Sequence, residues 1–346
     1  MLIVDDSAVA RAVLARLTVA GDRFVVAGAV PDVPQALAFL AQAPVDAILL
    51  DLELPGIDGL TALPDLLAAG GGAKVLVVSS KCAEGAAASV RALALGAADT
   101  LVKPGVTGFT GHFAETLRER LARLTERRPA ATMPPFAPAV SPGAFEVVAI
   151  GASTGGIHAL SRLLPAIPPS FDRPIVITQH LPASFSPYFA AQVALLAGRP
   201  CDVATERMRL RPGRIVVAPG DAHVVGAVAR GGSCVLRLSD APAPGGHLPS
   251  IDPMFSSLAD IHGPRLLAVV LSGMGRDGLS GAGDVRRAGG VVLVQDEASS
   301  AVWGMPGAVA GAGLANAVMT PAAIGAWIAA HGATRDTPLG SRFRTG

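Results

Sequence analysis

Residues 151–156, which read Gly-Ala-Ser-Thr-Gly-Gly, could hold a catalytic nucleophile. They follow the apolar run 147–150, so the pattern places Ser153 on a sharp turn from a strand into a helix. Small neighbours leave a serine hydroxyl exposed at such a turn, and nearby backbone N–H groups can stabilise an oxyanion. The same pattern also fits a tight turn or a phosphate cradle. The choice between these interpretations depends on partners for Ser153.

The general base would have to be one of seven histidines. His180 directly follows the apolar run 175–178. Side chains at the carboxyl ends of parallel strands meet at one edge of the sheet, so His180 is the predicted base. Five other histidines fall in helical, loop or hairpin segments without this placement: His112, His158, His223, His262 and His331.

The third partner should be a carboxylate that holds the imidazole tautomer and stabilises the imidazolium. Asp277 lies in the glycine-rich segment 272–278, which follows an apolar run. On placement alone, Asp252 and Asp296 remain alternatives. The chain order Ser, His, Asp differs from the Ser, Asp, His order of α/β-hydrolases, which disfavours a lipase-like enzyme although the turn is shared.

A second set of reactive side chains follows the apolar runs of the first half: Asp5, Asp6, Asp51, Ser79 and Lys103. Three neighbouring carboxylates would favour a hard divalent cation, most plausibly Mg²⁺. Asp51 could then attack a phosphoryl group, while Lys103 neutralises charge and the Ser79 hydroxyl bonds the new group. One strand-end acid alone would be a solvated turn residue, but the whole set with Lys103 favours phosphoryl chemistry.

The elements that must position these residues alternate between apolar runs and helical stretches in both halves of the chain. We therefore predict an α/β fold with two doubly wound parallel-sheet domains, the second carrying a β-hairpin insertion at 224–238. Five prolines between residues 129 and 143 predict a linker. The predicted divisions are a first domain at 1–120, a linker at 121–143, a second domain at 144–334 and a tail at 335–346. The predicted strands are 2–4, 24–30, 47–50, 75–78 and 100–102, then 147–150, 175–178, 215–218, 267–271 and 291–295.

The composition excludes several classes of protein. The 346 residues suit two domains, and no apolar run reaches the roughly 20 residues of a membrane span, so we expect a cytoplasmic protein without membrane insertion. A net charge of +1 and 4% aromatic residues argue against a nucleic-acid partner, and no helix-turn-helix pattern supports a transcriptional regulator. Cys82, Cys201 and Cys234 are too scattered for a disulfide framework or a thiolate zinc site.

The first half resembles the receiver domain of response regulators, a flavodoxin-like fold, over about residues 1–120. Four segments carry the resemblance: residues 4–7 (Val-Asp-Asp-Ser), 50–59 (Leu-Asp-Leu-Glu-Leu-Pro-Gly-Ile-Asp-Gly), 78–80 (Val-Ser-Ser) and Lys103-Pro104. It implies that Asp51 is the phosphoacceptor and that Ser79 and Lys103 form the switch. It also implies a Mg²⁺ site made of Asp6, Asp51, the carbonyl of Glu53 and, through water, Asp5.

Two features depart from the receiver pattern. The first strand starts close to Met1, which predicts either an assigned start that is too late or a weakened sheet edge. Thr100 stands where receivers often carry a switch aromatic, which leaves the route of signal transmission open.

The second half resembles the chemotaxis protein-glutamate methylesterases, the CheB family, whose architecture is a receiver linked to this catalytic domain. Seven segments carry the resemblance: residues 151–156, 178–182 (Thr-Gln-His-Leu-Pro), 218–220 (Ala-Pro-Gly), 249–252 (Pro-Ser-Ile-Asp), 272–278 (Ser-Gly-Met-Gly-Arg-Asp-Gly), 295–297 (Gln-Asp-Glu) and 304–306 (Gly-Met-Pro). It implies Ser153 as nucleophile, His180 as general base and Asp277 as its orienting acid. The Met274 N–H is the expected oxyanion donor, and local geometry adds the Thr154 N–H.

The resemblance also implies the reaction and its partners. The expected activity is hydrolysis of glutamate γ-methyl esters on chemoreceptor helices, with methanol released and no metal at the esterase site. Many relatives also deamidate receptor glutamines. A chemotaxis histidine kinase would phosphorylate Asp51, and the unphosphorylated receiver would pack over the esterase site. The alternative is a non-catalytic output module that only binds receptor helices.

Overall fold

The computed structural model describes residues 1–20, 23–79, 83–104, 111–126, 145–230, 232–243 and 245–332. Most of the predicted linker, Cys82 and the predicted tail lie outside the described residues. The predicted boundary at residue 120 falls inside a helix that ends at Thr125. Among the described segments, every helix is too short or too polar to cross a bilayer.

The first half is a five-stranded parallel sheet with order β2-β1-β3-β4-β5 and helices between successive strands. Its elements are β1 (Leu2–Val4), α1 (Ala8–Val19), β2 (Gly28–Val30), α2 (Val33–Leu40), β3 (Ala47–Asp51), α3 (Gly59–Ala69), β4 (Lys74–Ser79), α4 (Ala83–Leu95), β5 (Asp99–Val102) and α5 (Gly111–Thr125). The short β1 lies inside the sheet, and Leu2, Ile3 and Val4 are fully buried.

The second half is a seven-stranded parallel sheet with order β15-β14-β13-β6-β7-β10-β8, plus a three-stranded antiparallel sheet, β11-β12-β9. Its first elements are β6 (Val147–Ala152), α6 (Gly156–Leu163), β7 (Ile175–Gln179), α7 (Ser186–Ala197), β8 (Cys201–Val203), β9 (Met208–Arg209), β10 (Ile215–Val217), β11 (His223–Val228) and β12 (Cys234–Ser239). The remaining elements are α8 (Ile251–His262), β13 (Leu266–Val270), α9 (Leu279–Arg287), β14 (Val291–Gln295), α10 (Met305–Gly311), β15 (Ala317–Met319) and α11 (Pro321–Gly332).

The predicted α/β architecture with parallel sheets is confirmed, and the hairpin insertion is present as β11 and β12. One predicted strand, 24–30, is wrong in extent because pairing with β1 begins only at Gly28. Three strands were not predicted: β8, β9 and β15. Each has two or three residues, which is too short for a recognisable apolar run.

Local features fix where the first-half helices begin. Ser7 caps α1 by accepting a hydrogen bond from the Ala10 N–H, and Asp58 caps α3 by accepting from the Thr61 N–H at 2.9 Å. Gly59 opens α3 against the end of β3, where a Cβ would lie 2.3 Å from the Asp51 carbonyl oxygen. A side chain is therefore excluded at Gly59, and the backbone of α3 lies directly beside Asp51.

One of the clusters of buried apolar side chains spans both halves. Helix α4 contributes Val90 and Leu93, and α6 contributes Ile157 and Leu160, to the same cluster of buried side chains. Helix α4 packs against both α6 and α7. The first half therefore lies against the helices that follow β6 and β7.

Candidate active site

Ser153 lies on the turn between β6 and α6, as its spacing predicts. Gly155 in this turn has φ +76°, and a Cβ there would lie 2.4 Å from the Ala301 side chain and 2.8 Å from Ser272 Oγ. Only glycine fits both the backbone conformation and the space. The Ser153 N–H donates to the Ser272 carbonyl at 3.0 Å, which fixes the turn against the segment after β13.

The structure brings Ser153, His180 and Asp277 together. His180 Nδ1 lies 3.1 Å from Ser153 Oγ, and His180 Nε2 lies 2.8 Å from Asp277 Oδ2. The side chains follow β6, β7 and β13, which are adjacent strands in the centre of the sheet. Strand register therefore gathers residues that are far apart in sequence.

The imidazole is oriented opposite to that of the serine proteases. In those enzymes Nε2 faces the serine and Nδ1 faces the acid. Here Nδ1 faces Ser153, so a proton on Nε2 donates to Asp277 and leaves the Nδ1 lone pair to accept from the Ser153 hydroxyl. The nitrogen available as a base is Nδ1 of His180.

Asp277 is buried and surrounded by donors. Besides His180, it accepts hydrogen bonds from Ser250 Oγ at 2.7 Å, the Ile251 N–H at 2.8 Å and the Gly278 N–H at 3.0 Å. Burial raises the pKa of this carboxyl, but the bonds from His180, Ile251 and Ser250 outweigh burial and lower it to about 2. Asp277 is therefore ionised at neutral pH.

The two alternative acids lie elsewhere. Asp252 accepts from the Gly281 N–H at 2.7 Å, and burial followed by the nearby charge of Asp277 raises its pKa to about 6. Asp296 accepts a hydrogen bond from Ser299. Among the hydrogen bonds of the described residues, neither carboxylate has one with His180.

The backbone around Ser153 offers two N–H groups for an oxyanion. Thr154 and Met274 line the same cavity as Ser153, and in the described part of the chain their N–H groups have no hydrogen-bond partner. A Cβ on Gly273 would lie 2.8 Å from the Ser153 Cβ, so the segment leading to Met274 passes close to Ser153. The Gly155 N–H differs, because it donates to the Ala98 carbonyl of the first half at 3.1 Å.

Sequence reasoning missed the residues that hold these loops in place. Ser272 Oγ donates to the Thr154 carbonyl at 2.7 Å, and the Ser272 N–H donates to Gln295 Oε1 at 2.7 Å. Gln179 Nε2 donates to the Ser153 carbonyl at 2.9 Å. Each lies next to a strand end inside a segment already singled out, and a polar side chain at a buried strand end was the available indication.

The cavity above Ser153 lies between the two halves and has a volume of about 720 Å³. The second half lines it with Ser153, His180, Met274 and their neighbours, whereas the first half lines it with Thr100, Phe113 and other residues of β5 and α5. His158 Nδ1 lies 3.4 Å from the Ala94 carbonyl at the same boundary. Burial lowers the pKa of His158, which favours its neutral form.

The first-half acids also meet. Carboxylate oxygens of Asp5, Asp6 and Asp51 lie within 4.8 Å of one another, and Lys103 Nζ lies 2.7 Å from both Asp5 and Asp51. Burial raises the pKa of Asp51 despite the opposing effect of Lys103. Burial lowers the pKa of Lys103, but the hydrogen bonds to Asp5 and Asp51 dominate and raise it. These oxygen donors fit a hard cation such as Mg²⁺.

The other predicted first-half residues are placed as follows. Glu53 directly follows β3, and its N–H donates to Asp51 Oδ1 at 3.2 Å. Ser79 ends β4, but its side chain lies outside the described residues. Thr100 lies on β5 and lines the cavity shared with Ser153.

Two family models match the chain. Residues 148–328 match the model described as CheB methylesterase, and residues 1–107 match the response regulator receiver domain. Protein-glutamate methylesterase/protein-glutamine glutaminase 2 of Caulobacter vibrioides is 42% identical and covers 96% of this chain and 98% of its own. A similarly named protein of Paramagnetospirillum magneticum is 38% identical, with 95% and 94% covered.

A solved structure gives the corresponding likeness in three dimensions. The Thermotoga maritima CheB methylesterase catalytic domain is 31% identical, with a TM-score of 0.52, over 54% of this chain and 99% of that one.

Proposed function

The chain belongs to the CheB methylesterase family of response regulators, and from this we propose that it hydrolyses glutamate γ-methyl esters on chemoreceptor cytoplasmic helices under phosphorylation control. The observation that carries the proposal is the continuous hydrogen-bonded set of Ser153, His180 and Asp277, of which Ser153 and His180 line the cavity. Oriented in this way, an alcohol becomes a nucleophile without a metal ion.

In the first step, Ser153 Oγ attacks the ester carbonyl carbon while His180 Nδ1 takes the hydroxyl proton. The developing oxyanion accepts hydrogen bonds from the N–H groups of Met274 and Thr154. The C–O bond to the methoxy group then breaks, and the proton on Nδ1 passes to the leaving oxygen to give methanol. Asp277 stabilises the imidazolium throughout.

In the second step, water hydrolyses the acyl-enzyme. His180 Nδ1 takes a proton from the water, the hydroxide oxygen bonds to the acyl carbon, and the bond to Ser153 Oγ breaks. The proton on Nδ1 returns to Ser153 Oγ, and the new glutamic acid side chain loses its remaining proton to water to give the carboxylate.

The same residues serve for deamidation of receptor glutamines. The similar proteins from Caulobacter and Paramagnetospirillum carry both activities in their names. A primary amide would form the same acyl-enzyme on Ser153: the C–N bond breaks, and the proton on His180 Nδ1 passes to the departing nitrogen to give ammonia.

Phosphorylation by a chemotaxis histidine kinase would act at Asp51. The carboxylates of Asp5, Asp6 and Asp51, with the carbonyl of Glu53, would hold Mg²⁺, which neutralises charge on the transferred phosphoryl group. Lys103, which bonds both Asp5 and Asp51, would rearrange to bond the phosphoryl oxygens, and Ser79 would donate its hydroxyl to them.

Control of the esterase would pass through the boundary between the halves. The first half closes one side of the cavity. The Ala98 carbonyl also accepts a hydrogen bond from the Gly155 N–H, two residues after Ser153. A phosphoryl group of about −1.5 to −2 charge at Asp51 would shift the balance between this closed arrangement and an open one that admits a receptor helix.

The test is methanol release from methylated receptor membranes by the full chain, with Mg²⁺ and with or without acetyl phosphate as phosphodonor. We expect release in both conditions and a faster rate with the phosphodonor. Mass spectrometry of the receptors reports ester loss and amide loss separately. Receptor binding without release of methanol or ammonia would instead identify a non-catalytic output module.

A further inference from the structure

A second histidine lies against the proposed base. The rings of His180 and His247 are stacked, with centroids 4.6 Å apart and planes inclined by 19°. His247 lies on the segment between β12 and α8, and it lines the cavity together with Ser153 and Gly275. One face of the base is thus covered by another imidazole.

The segment that carries His247 also holds the acid. Three residues after His247, Ser250 Oγ donates to Asp277, and the next N–H, that of Ile251, donates to Asp277 as well. The single segment 247–251 therefore supports His180 on its face through His247 and at its Nε2 edge through Asp277.

His247 itself is not held by a hydrogen bond to any other described residue. The ring borders the cavity and is covered only in part. The charged and titratable groups that face it are His180, Asp277 and Arg123 of α5. Burial, then His180, and more weakly Arg123 lower the pKa of His247 while Asp277 opposes them, so the neutral form is favoured at neutral pH.

We propose that His247 is a positioning residue for the hydrolysis, whose neutral ring holds the plane of His180 and stabilises the imidazolium formed there. The inference rests on the proposed function. A neutral aromatic face within about 6 Å of a cation attracts it, and this attraction grows as His180 takes the Ser153 proton. A protonated His247 would instead repel that imidazolium, so protonation of either ring stops the reaction.

The experiment compares the full chain with His247→Phe and His247→Ala, using methanol release with acetyl phosphate and Mg²⁺ over about pH 5 to 8. The alanine variant loses the stacked ring, and we expect kcat to fall by about 10-fold at every pH. The phenylalanine variant keeps a ring that cannot titrate, so kcat near pH 7.5 should stay within about 3-fold of the parent.

The acid limb of the pH profile gives the readout that a structural role would not move. In the parent protein the rings of both His180 and His247 must be neutral, so the plot of log kcat against pH should approach a slope of about 2 in acid. In His247→Phe only one titrating ring remains, so the slope should approach about 1. The matched control is His331→Phe on α11, where a histidine stacks on Trp327 at 4.2 Å outside the cavity lining. It should leave both rate and slope unchanged.

An unchanged slope in His247→Phe, or full activity in His247→Ala, would overturn the inference. The proposed function has its own readout in the same assay, because it requires release by the parent protein and none by Ser153→Ala. Failure of that comparison would overturn both, whereas failure of the His247 comparison alone would leave the esterase assignment standing.

Discussion

The two acidic centres of this molecule treat a buried aspartate in opposite ways. Asp277 receives hydrogen bonds from His180, Ile251 and Ser250, and its pKa is lowered despite burial. Burial raises the pKa of Asp51, which has the cation Lys103 and the like charge of Asp5 nearby. The negative charge of Asp277 is stabilised by hydrogen bonds without any ligand. The negative charge of Asp51 would be stabilised most by an added cation. Asp277 thus has its charge compensated by the protein itself, whereas the charge around Asp51 would change most when a cation binds.

The largest effect on hydrolysis is expected for Ser153→Ala, which should separate the esterase site from the receiver site. Hydrolysis should fall by at least about 10⁴-fold, because the nucleophile is lost while the receiver site is untouched. Methanol release and phosphorylation of Asp51 are measured on the same preparation. Ser161→Ala on α6, where the hydroxyl donates to the His158 carbonyl at 2.8 Å, is the control. Retained turnover in Ser153→Ala would remove the nucleophile assignment.

The next largest effect is expected for Asp277→Asn, which tests whether the satisfied carboxylate is needed as an anion. An asparagine amide can donate to His180 Nε2 and so place the imidazole proton on Nδ1, which faces Ser153. We expect kcat to fall by about 10³ to 10⁴-fold. Asp296→Asn should leave kcat nearly unchanged, and an equal loss there would contradict the choice of acid.

Separating the halves tests whether the receiver restrains the esterase. The segment from residue 145 onward should release methanol at least about 10-fold faster than the unphosphorylated full chain, because the Ala98 carbonyl and the wall formed by β5 and α5 are gone. The full chain with Asp51→Asn should stay at the unphosphorylated rate when acetyl phosphate is added. A segment no faster than the full chain would show that the receiver does not inhibit.

The smallest effect concerns folding stability and pH. Burial and Asp277 raise the pKa of Asp252 from 3.8 to about 6, so its contribution to stability is complete below 3.8 and is lost as pH rises through about 6. The free energy of unfolding should therefore drop by on the order of 1 kcal/mol between pH 4 and 6 through this group. Urea unfolding of Asp252→Asn should show a flatter profile over that interval, whereas exposed Asp260→Asn on the same helix should not.

Much of the fold followed from apolar runs, because a buried parallel strand has to be apolar on both faces. The runs at 147–150 and 291–295 became β6 and β14, whereas β8, β9 and β15 are too short to be seen as runs. Which strands are neighbours was not predictable from the runs, because pairing depends on contacts across the whole chain.

The candidate site was predictable only as far as strand ends could indicate it. Placement in the sequence indicates Ser153, His180 and Asp277. It does not separate Asp277 from Asp252 and Asp296. The hydrogen bond to His180 distinguishes Asp277, and such a bond depends on loop conformation. The use of Nδ1 toward the serine, the stack with His247 and the Ala98 contact also arise from tertiary packing, which spacing does not encode.

The central place of β13, β6 and β7 in the seven-stranded sheet has an evolutionary consequence. The distances between Ser153, His180 and Asp277 depend on the pairing of these three strands with one another and not on the strands at the sheet edges. Insertions beside β8 or β15, or exchange of the antiparallel hairpin, would leave that separation intact. Related sequences can therefore differ at these outer elements while keeping the geometry of the three side chains.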